Sequence, residues 1–483
     1  MLDDIIKERI KKIQQLRQQG IDPYPEKVRR QFTVGEALEH FNVWLKNKKS
    51  LSLAGRIFSV RGHGGLIFCD LKDESGKIQL VLKADVLGDK KMSFFEKYID
   101  LGDFLSASGT LYLTQKGEKS LLVKDFSLTG KSLRPLPKEW FGLEDDEERF
   151  RKRYLDLLEN GEIKKRFTLR SQMIAAIREF LNQRGYLEVE TPILQTIYGG
   201  ANANPFITKL EALKIKLYLR IAPELYLKRL LVGGFEKIYE IGKNFRNEGM
   251  DREHNPEFTM MELYSAYQTR QDLMKLTKEL IQMLAKKFQK DIDNSSILKS
   301  EWAIKDFEEL LESKTGLNFQ NSQAQWLNKA KELQIDNVNS CDSVEKIADL
   351  IFKKIRKDFS EPFFLINQPL EISPLAKKDP QNPQKTLRFQ LILNGWEVAN
   401  GFSELNDPLD QKERFLKQQT MKKLGDKEAH PQDKDFIEAL EYGMPPAAGL
   451  GIGIDRLIAV LTHAPSVKEV IFFPFMKPTQ HNK

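Results

Sequence analysis

The sequence predicts an α+β protein in which a small β-barrel precedes a larger domain, built on a mainly antiparallel sheet flanked by helices. Three observations support this prediction. The chain has 483 residues, which is enough for two or three domains. Short β-rich segments separated by turn signals fill residues 50–133. Beyond residue 156, strand-like segments outnumber the helices that parallel crossovers would need, which favours antiparallel pairing.

The first 49 residues are predicted to form a basic helical extension. Residues 3–19 have the pattern of a polar amphipathic helix, which Gly20 ends and residues 22–25 (Asp-Pro-Tyr-Pro) cannot continue. The extension contains 11 Lys or Arg against 7 Asp or Glu, whereas the whole chain has a formal charge of +7. This local excess is compatible with a solvated helix face or with a contact to nucleic acid.

Residues 50–135 are predicted to form an OB-fold, which is a small barrel of five strands. The strands are expected at 51–60, 66–71, 77–82, 104–113 and 120–128. Turn signals such as residues 73–76 (Asp-Glu-Ser-Gly) separate several of them. Five short strands within about 80 residues suit this barrel, which binds single-stranded nucleic acid, although another small β-module would also fit the pattern.

A linker at residues 136–155 is predicted to join the barrel to a second domain at 156–483. The linker follows the start of a stiff Arg-Pro-Leu-Pro segment at 134–137. In the second domain, a helical stripe runs from Phe167 to Leu181. A helical insertion is expected at about 290–360, and a glycine-rich segment from Gly449 is expected to open a helix. Strands are expected at 186–192, 217–221, 237–241, 258–264, 363–366 and 388–393.

Composition and residue spacing argue against several classes of protein. No apolar run approaches the ~18–20 residues that span a bilayer, so no membrane partner is expected. The N-terminus lacks the apolar region of a secretory signal, which indicates a cytoplasmic protein. Cys69 and Cys341 fall in different predicted domains, which argues against a disulfide. The 6 histidines form no metal-binding pair, so a structural zinc site is not expected.

A dense polar cluster at residues 245–258 lies between two strand-like segments, so it can be the loop of an antiparallel pair. Alternation then predicts that Arg246 and Glu248 share one face of the first strand, and that Glu262 and Tyr264 share one face of the second. An arginine beside carboxylates suits a ligand with anionic and cationic ends. A surface ladder of salt bridges is the alternative interpretation.

A second polar cluster covers residues 396–407. Glu397 could bind a hard cation, since carboxylate oxygen is a suitable ligand for one. Asn400, Phe402 and Glu404 alternate, so they face one side if the segment is extended. An aromatic ring between an amide and a carboxylate could hold an aliphatic chain that ends in ammonium. An ordinary strand with one buried phenylalanine fits the same pattern.

The third cluster is the glycine-rich sequence from Gly449 to Arg456. Glycines permit close backbone approach, and a helix N-terminus favours phosphate. The spacing is not that of a dinucleotide-binding fingerprint, and no βαβ unit surrounds it. Arg456 makes a triphosphate contact plausible, whereas close packing of helix on sheet is the alternative.

Taken together, these segments resemble a known family. Pro192, the Phe-Arg-x-Glu sequence at 245–248 and the Gly-x-Gly-x-Gly-x-Asp-Arg sequence at 449–456 resemble motifs 1, 2 and 3 of the class II aminoacyl-tRNA synthetases. The sequences at 221–228, 400–407 and 442–446 are similar to those of lysyl-tRNA synthetases in particular. The resemblance extends from about residue 50 to residue 478 and so covers nearly the whole chain.

The resemblance implies an enzyme that activates lysine with ATP and transfers it to the terminal ribose of tRNA(Lys). It also implies a homodimer, with much of the interface formed by the motif 1 helix and the strand that ends at Pro192. In the barrel, the residues that match the family's anticodon contacts are Arg61, Phe68, Gln79 and Glu118. Phe68 would stack on a base, and the other three would contact base edges.

The resemblance also assigns roles in the second domain, with Arg246 and Arg456 as the catalytic residues. The residues implied to bind ATP are Arg246, Glu248, His254, Asn255, Phe258, Glu397 and Arg456. The residues implied to bind lysine are Gly200, Glu224, Arg246, Glu262, Tyr264, Asn400, Phe402 and Glu404. Mg²⁺ is implied at Glu397, but relatives carry a second glutamate where this chain has Gln390. Asn204 and the Lys209-Leu210 pair also depart from the family pattern.

Three alternatives share part of this pattern. An aspartate or asparagine enzyme would present cations or amides to the side chain, whereas this chain offers Glu262 and Glu404. A paralogue that lysylates a protein without tRNA typically lacks the barrel. A non-enzymatic RNA-binding protein would fit the neutral residue at Gln390, but the other implied catalytic residues are present.

Overall fold

The chain divides into two compact units, Met1–Leu143 and Glu144–Lys483. The computed structural model describes residues 2–63, 65–136, 145–292, 295–299, 301–335, 338, 342–423 and 431–478. Most of the first half of the predicted linker, residues 137–144, lies outside the described residues, as does Cys341. The division between the units falls within the segment predicted to be the linker.

The first unit is a five-stranded barrel with short helices. Its elements are α1 Leu2–Gln18, α2 Val34–Glu39, α3 Phe41–Lys46, β1 Ser50–His63, β2 Leu66–Lys72, β3 Lys77–Lys83, α4 Ala84–Leu87, α5 Asp89–Tyr98, β4 Phe104–Leu113 and β5 Lys119–Gly130. The barrel order is β1-β2-β3-β5-β4, and β4 also pairs with β1. β3 and β5 run parallel, whereas the other pairs are antiparallel.

The N-terminal extension packs on the barrel and shares its apolar core. Leu16 of α1 and Phe41 of α3 are buried in the same cluster as Leu51 and Leu53 of β1. Arg9 of α1 is also buried and donates hydrogen bonds to three main-chain oxygens beyond the extension. The extension is therefore part of the barrel unit and does not stand apart from it.

The second unit is built on an eight-stranded sheet. Its first elements are α6 Asp146–Arg151, α7 Arg153–Glu159, α8 Gly161–Asn182, β6 Leu187–Glu188, β7 Leu194–Gln195, β8 Ile207–Leu210, β9 Ile215–Leu219, α9 Glu224–Val232, β10 Lys237–Phe245, β11 Glu257–Ala266 and α10 Arg270–Lys287. The remaining elements are β12 Ala303–Asp306, α11 Phe307–Thr315, α12 Gln323–Glu332, α13 Val344–Ile355, β13 Phe363–Ile366, β14 Arg388–Leu393, β15 Trp396–Ser403, α14 Pro408–Lys423, α15 Lys434–Glu441, β16 Ala447–Gly453 and α16 Ile454–Leu461.

The sheet order is β12-β13-β14-β15-β16-β11-β10-β6, and β7, β9 and β8 form a separate small sheet. The inner neighbours are antiparallel, whereas the pair at each end, β12 with β13 and β6 with β10, is parallel. Short strands at the edges can be parallel because long connections lead into them.

One face of the central sheet is apolar and the other is polar. Paired residues Leu391, Ala399, Ile452 and Met261 lie on the apolar face, and they pack in one core with residues of α8, α10 and α16. Successive side chains of a strand point to opposite faces. The polar side chains of β11 and β15 therefore lie on the face that these three helices leave open.

The predicted insertion forms three helices and one edge strand. α11, α12 and α13 enclose a separate apolar core around Phe307, Trp326 and Ile351, which includes Phe363 and Ile392 of the main sheet. β12 pairs with β13. The sequence pattern missed β12 because its four residues lie within a long polar, helical stretch.

The predicted fold class is confirmed, and three local predictions need correction. The strand expected at 186–192 consists only of β6, and the strand expected at 217–221 is β9, which ends two residues earlier. The glycines from Gly449 belong to β16, so Gly449 and Gly451 lie in the sheet, and only Gly453, the N-cap of α16, opens a helix. Among the described residues, no helix is long and apolar enough to cross a membrane.

Candidate functional site

Three carboxylates from different elements converge on the polar face of the sheet. Glu224 begins α9, Glu262 lies on β11, and Glu404 follows β15. Glu404 is 1% exposed and Glu262 is 4% exposed. The hydroxyl of Tyr264 donates a hydrogen bond of 3.2 Å to Glu262. We call the three carboxylates the acidic cluster.

Burial strongly favours the neutral forms of the acidic cluster. It raises the pKa of Glu262 to about 8, and the charge of Glu224 adds to this shift. It also raises the pKa of Glu404 to about 8, although the ammonium of Lys228 acts in the opposite direction. The pKa of Glu224 is raised for the same reason. Ionised carboxylates are costly in such an environment unless a cation pairs with them, so the cluster is suited to a cationic ligand.

Lys228 lies within the acidic cluster, although no sequence pattern distinguishes it. Its Nζ lies 2.6 Å from Glu224 Oε1 and 2.5 Å from Glu404 Oε2. Its side chain is fully buried, and Nζ is 5.3 Å from the ring centroid of Phe402. Burial alone lowers the pKa of Lys228, but the charges of Glu224 and Glu404 outweigh this effect and raise it. Only the spacing of Glu224 and Lys228, one helical turn apart, is visible in the sequence.

Glycines leave room for these side chains. Gly449 of β16 pairs with Tyr264 and with Phe402. A Cβ at this position would overlap Glu404 Oε1 and would lie 2.5 Å from Tyr264 Cε1. Gly200 has a φ of +88°, and a Cβ there would lie 2.8 Å from Glu224 Cβ. The small residues at both positions therefore bring the backbone close to the acidic cluster.

The predicted placement of Arg246 and Glu248 on one strand face is wrong. β10 ends at Phe245, and both residues belong to the loop 246–256. After the hydrogen bond from Arg246 N to Pro256 O, the amide of Asn247 donates to Asn204 O at 2.8 Å. This second contact leads the chain away from the sheet. Pro256 lacks an amide hydrogen, which also prevents continuation of the ladder.

Arg246 follows the end of β10 and is six residues beyond Glu240, which pairs with Glu262 of the acidic cluster. Burial lowers the pKa of Arg246, and the charges of Glu248, Arg456, Glu262 and Glu397 also act on it. Its guanidinium lies 5.0 Å from the ring centroid of Phe258, and its Nε is buried without a hydrogen-bond partner among the described residues. A half-buried guanidinium with a buried nitrogen that lacks a partner among the described residues is a good binding group for an anion.

Arg456, in the first turn of α16, is held by residues of the loop 246–256. Its Nε donates to Glu253 O at 3.2 Å, and another guanidinium nitrogen lies 2.9 Å from His254 Nε2. The carboxylate of Glu253 contacts Arg356, at the end of the insertion, at 2.5 Å. Arg356 was not predicted to belong to the site, because its position in the sequence is about 100 residues away from the loop. It connects the insertion to the loop.

A β-bulge sets the direction of Glu397. Between β14 and β15, Leu391 pairs with Ala399 whereas Ile392 pairs with Glu397, so β15 has one extra residue. The extra residue reverses the alternation, and Glu397 lies on the same face as Asn400 and Phe402. Gln390 pairs with Asn400 and shares this face, so the two predicted metal-binding positions lie near each other.

The remaining residues implied to bind ATP surround this end of the face. Asn255 is buried, and its amide donates to Glu257 O at 2.7 Å. Glu248 is exposed, and its Oε1 accepts a hydrogen bond from Asn204 N at 3.3 Å. His254 is held by Asp251, whose pKa is lowered to about 2 by the hydrogen bond from the imidazole despite partial burial.

The barrel carries a separate polar patch. Arg61 of β1 pairs with Phe68 of β2, Asp70 of β2 pairs with Gln79 of β3, and Phe68 and Asp70 share one face. The hydroxyl of Ser120 donates to the side chain of Gln79 at 3.0 Å. It also donates to the main-chain oxygen of Glu118 at 3.1 Å. The four predicted anticodon residues thus lie on connected strands and turns of one barrel surface. Asp70 also belongs to this surface and was not predicted.

Comparisons with known proteins agree with these features. Residues 145–477 match the family model for class II tRNA synthetases (D, K and N), and residues 51–129 match that for an OB-fold nucleic acid binding domain. The chain is 48% identical to the lysine–tRNA ligase of Carboxydothermus hydrogenoformans, over 99% of each chain. The chain belongs to the lysine–tRNA ligase family. It is also 44% identical to the Thermotoga maritima ligase, over 99% of this chain and 97% of the relative. It is 46% identical to a lysine–tRNA ligase 2 of Methanosarcina mazei, over 95% of this chain and 91% of the relative.

Membership of the lysine–tRNA ligase family makes the departures from its pattern more informative. Gln390 is 3% exposed, and its Oε1 has no hydrogen-bond partner among the described residues. Lys209 and Leu210 are exposed on β8, where Lys209 pairs with Glu211 at 3.0 Å. Asn204 contacts the loop 246–256 through its backbone only, as far as hydrogen bonds between described residues show.

Proposed function

We propose that this protein is a lysine–tRNA ligase, which forms lysyl-adenylate from lysine and ATP and then transfers lysine to the 3′-terminal ribose of tRNA(Lys). The observation that carries the proposal is the division of the polar face. Buried carboxylates that need cations lie along the second half of β11, whereas Arg246 and Arg456 lie at the loop 246–256, where β11 begins. Lysine has ammonium groups for the first end, and its carboxylate can meet ATP at the second.

The acidic cluster would orient lysine by its two ammonium groups. Glu224, with the adjacent Gly200 backbone, would bind the α-ammonium. Glu262, Tyr264 and Glu404 would bind the ε-ammonium, and the ring of Phe402 would contact the aliphatic stem. Leucine or methionine would leave buried carboxylates without a cation. Sites built to bind a polar group reject analogues that lack it by about 10⁴-fold or more.

Arg246 would bring the reacting groups together. Its planar guanidinium can bind the lysine carboxylate and the α-phosphate at once, while Asn400 assists at the carboxylate. A carboxylate oxygen of lysine attacks the α-phosphorus, and the bond to pyrophosphate breaks. Phe258 would stack on adenine, with Glu248, His254 and Asn255 around the nucleotide, and Arg456 would bind the far phosphates. Positioning and charge neutralisation lower the barrier without a protein nucleophile.

The second step needs the same orientation of lysine. A ribose hydroxyl of the tRNA attacks the carbonyl carbon of lysyl-adenylate, and AMP leaves with the bond electrons and accepts the proton. Arg246 would stabilise the departing phosphate as it did the phosphate under attack. Arg246 would thus act on the same phosphate group in both steps of the reaction.

Glu397 and Gln390 would hold Mg²⁺ together with the phosphates of ATP. The fit rests on the side-chain oxygens of these residues on one face, including Gln390 Oε1, which has no hydrogen-bond partner in the described part of the chain. Mg²⁺ prefers such oxygen ligands and usually keeps several waters and phosphates in its shell. The bound ion would neutralise phosphate charge. Gln390 contributes no charge, so we expect weaker metal binding than with a glutamate at this position.

Two further parts of the proposal concern partners. The barrel surface of Arg61, Phe68, Gln79 and Glu118 would bind the tRNA anticodon, in the cytoplasm where tRNA, ATP and lysine occur together.

A homodimer is supported by exposed apolar side chains near the open edge of the sheet at β6. They are Leu187, Ile193 and Leu194, which are 42–50% exposed.

Pyrophosphate exchange into ATP with each amino acid tests the proposed function. Lysine should support exchange, whereas aspartate and asparagine should not, and tRNA(Lys) should then be charged. Phe68→Ala should slow charging at limiting tRNA by about 5- to 150-fold, because stacking contributes about 1–3 kcal/mol. It should leave lysine-dependent exchange unchanged. Exchange with another amino acid, or none with any, would overturn the proposal.

A further inference from the structure

Lys228 is the one basic residue with direct contacts to the acidic cluster among the described side chains. It is buried completely, which is uncommon for lysine unless it is paired. Its Nζ contacts Glu224 and Glu404 at once. These are the residues proposed to bind the α-ammonium and the ε-ammonium of the substrate, so the internal lysine connects the two ends of the amino-acid site.

Charge counting gives this contact a function. The acidic cluster has three carboxylates, and Lys228 compensates one of them. Two negative charges remain when all three are ionised, which matches the two ammonium groups of lysine. The hydroxyl of Tyr264 faces the cluster and is neutral, because burial and the neighbouring carboxylates raise its pKa.

Other cations act on the cluster only from a distance. Arg388 influences Glu224, and Arg246 and Arg220 influence Glu262, but none of the three makes an ion pair with the cluster among the described side chains. Arg220 pairs with Glu240, and Arg388 donates to Asn400. Lys228 is therefore the group that sets the local charge.

The geometry also sets where the substrate can bind. Because Glu224 Oε1 and Glu404 Oε2 contact the same Nζ, their separation cannot exceed the sum of 2.6 and 2.5 Å. Glu404 Oε1 is buried and has no hydrogen-bond partner among the described residues. It lies beside Gly449, where only a hydrogen leaves space for it. One oxygen of Glu404 is thus held by Lys228, and the other is available to a ligand.

We propose that Lys228 is a specificity-determining residue of the amino-acid site, because its ammonium holds Glu224 and Glu404 together and leaves a charge that only a diamino acid neutralises. This inference rests on the proposed function and adds to it a residue that touches no reacting atom. Without Lys228, Glu224 and Glu404 would repel each other and move apart, because no shared ammonium would hold their oxygens together. Protonation of one carboxylate would restore the charge but not these positions, so lysine would lose much of its advantage over an amino acid with a neutral side chain.

Lys228→Met tests this inference in the full-length protein by pyrophosphate exchange. The KM for lysine should rise by about 10- to 150-fold, since a hydrogen bond between charged groups contributes about 1.5–3 kcal/mol. The KM for ATP should stay within about twofold. The preference for lysine over methionine, measured by the two kcat/KM values, should fall by at least about tenfold. The acidic limb of the kcat/KM profile for lysine should move to higher pH, because loss of the ammonium raises the pKa of the carboxylates further.

Two variants separate this role from a general loss of folding. Lys228→Arg keeps the charge, so its pH limb should remain at the wild-type position even if the KM for lysine rises. Lys131→Met removes an equally buried lysine from the barrel unit, where Nζ contacts Asp103 at 2.6 Å. It should lower thermal stability without changing the KM for lysine.

Several outcomes would overturn the inference. One is a Lys228→Met protein with wild-type lysine kinetics; another is an equal rise in the KM values for ATP and lysine with no movement of the pH limb. A shift of the acidic limb of the kcat/KM profile in Lys228→Arg would also overturn the inference. This shift can be measured even if the methionine variant does not fold. Absence of lysine-dependent exchange in the wild type would instead refute the proposed function.

Discussion

Gly449→Ala should selectively weaken lysine binding. Position 449 lies on β16 with its hydrogen directed toward the acidic cluster. An added Cβ would overlap Glu404 Oε1 and lie 2.5 Å from Tyr264 Cε1. Ordinary contact between carbon atoms is about 3.5–4.0 Å, so the tyrosine ring would have to move by about 1 Å. Glu404 and Tyr264 are 1% and 3% exposed, so neither can move into solvent.

The magnitude follows from the contacts that such a movement would break. Loss of one well-placed hydrogen bond to a charged group costs about 1.5–3 kcal/mol, which corresponds to about a 10- to 150-fold rise in the KM for lysine. Overpacking should also lower the free energy of unfolding by about 1–3 kcal/mol. Pyrophosphate exchange measures the first effect, and thermal unfolding measures the second. The KM for ATP should change little, because the residues proposed to bind the nucleotide lie elsewhere on the sheet face.

The same strand provides a matched control for Gly449→Ala. A Cβ at Gly453 would lie 3.7 Å from the nearest side-chain carbon of Arg456, which is an ordinary contact. Gly453→Ala should keep the KM for lysine within about threefold. If Gly449→Ala behaved like this control, or if it raised the KM for ATP as much as that for lysine, the reasoning would be refuted.

Four further predictions concern pH, loop position, metal and assembly. Because Glu262 and Glu404 have pKa values raised to about 8 in the folded state, the stability of the ligand-free protein should fall as pH rises from 5 through 8. The rise in Tm caused by lysine should be larger at pH 8 than at pH 6, and equal rises at the two pH values would contradict this prediction. Arg356→Gln should raise the KM for ATP about tenfold with little change for lysine, since the loop 246–256 loses its ion pair with the insertion; unchanged exchange kinetics would exclude that role. Gln390→Glu should lower the Mg²⁺ concentration needed for half-maximal adenylate formation and increase Mg²⁺ affinity in calorimetry with an ATP analogue, and no change in either would count against the metal site. Leu194→Glu should shift the mass measured by light scattering from dimer to monomer, whereas a monomeric wild type would disprove the proposed assembly.

Period-two patterns predicted much of the polar face. Glu262 and Tyr264 share a face because they are two residues apart in a regular strand, and the same holds for Asn400 and Phe402. The barrel strands were predicted to within a few residues because turn sequences separate them. Local rules suffice where the structure is locally regular.

Tertiary contacts explain what the sequence patterns missed. The strand before Arg246 ends where Asn247 bonds to Asn204, a contact that no local rule anticipates. Lys228 appears in the sequence as one charged residue of an amphipathic helix, and only the fold shows that Glu404 meets it. β16 was missed because alternating glycines have no side chains to reveal a strand period.

The glycines of β16 and the bulge of β15 solve one geometric problem in two ways. A sheet face can bind a zwitterion with an extra cation only if acidic, basic and metal-binding groups all reach the same side without collision. Gly449 removes a side chain so that Glu404 can approach Tyr264, whereas the bulge adds a residue so that Glu397 joins Asn400. In a strictly alternating strand, Glu397 would lie on the apolar face, where an ionised carboxylate is costly. The irregular positions of these two strands are therefore the positions at which the proposed binding chemistry requires a departure from the ideal sheet.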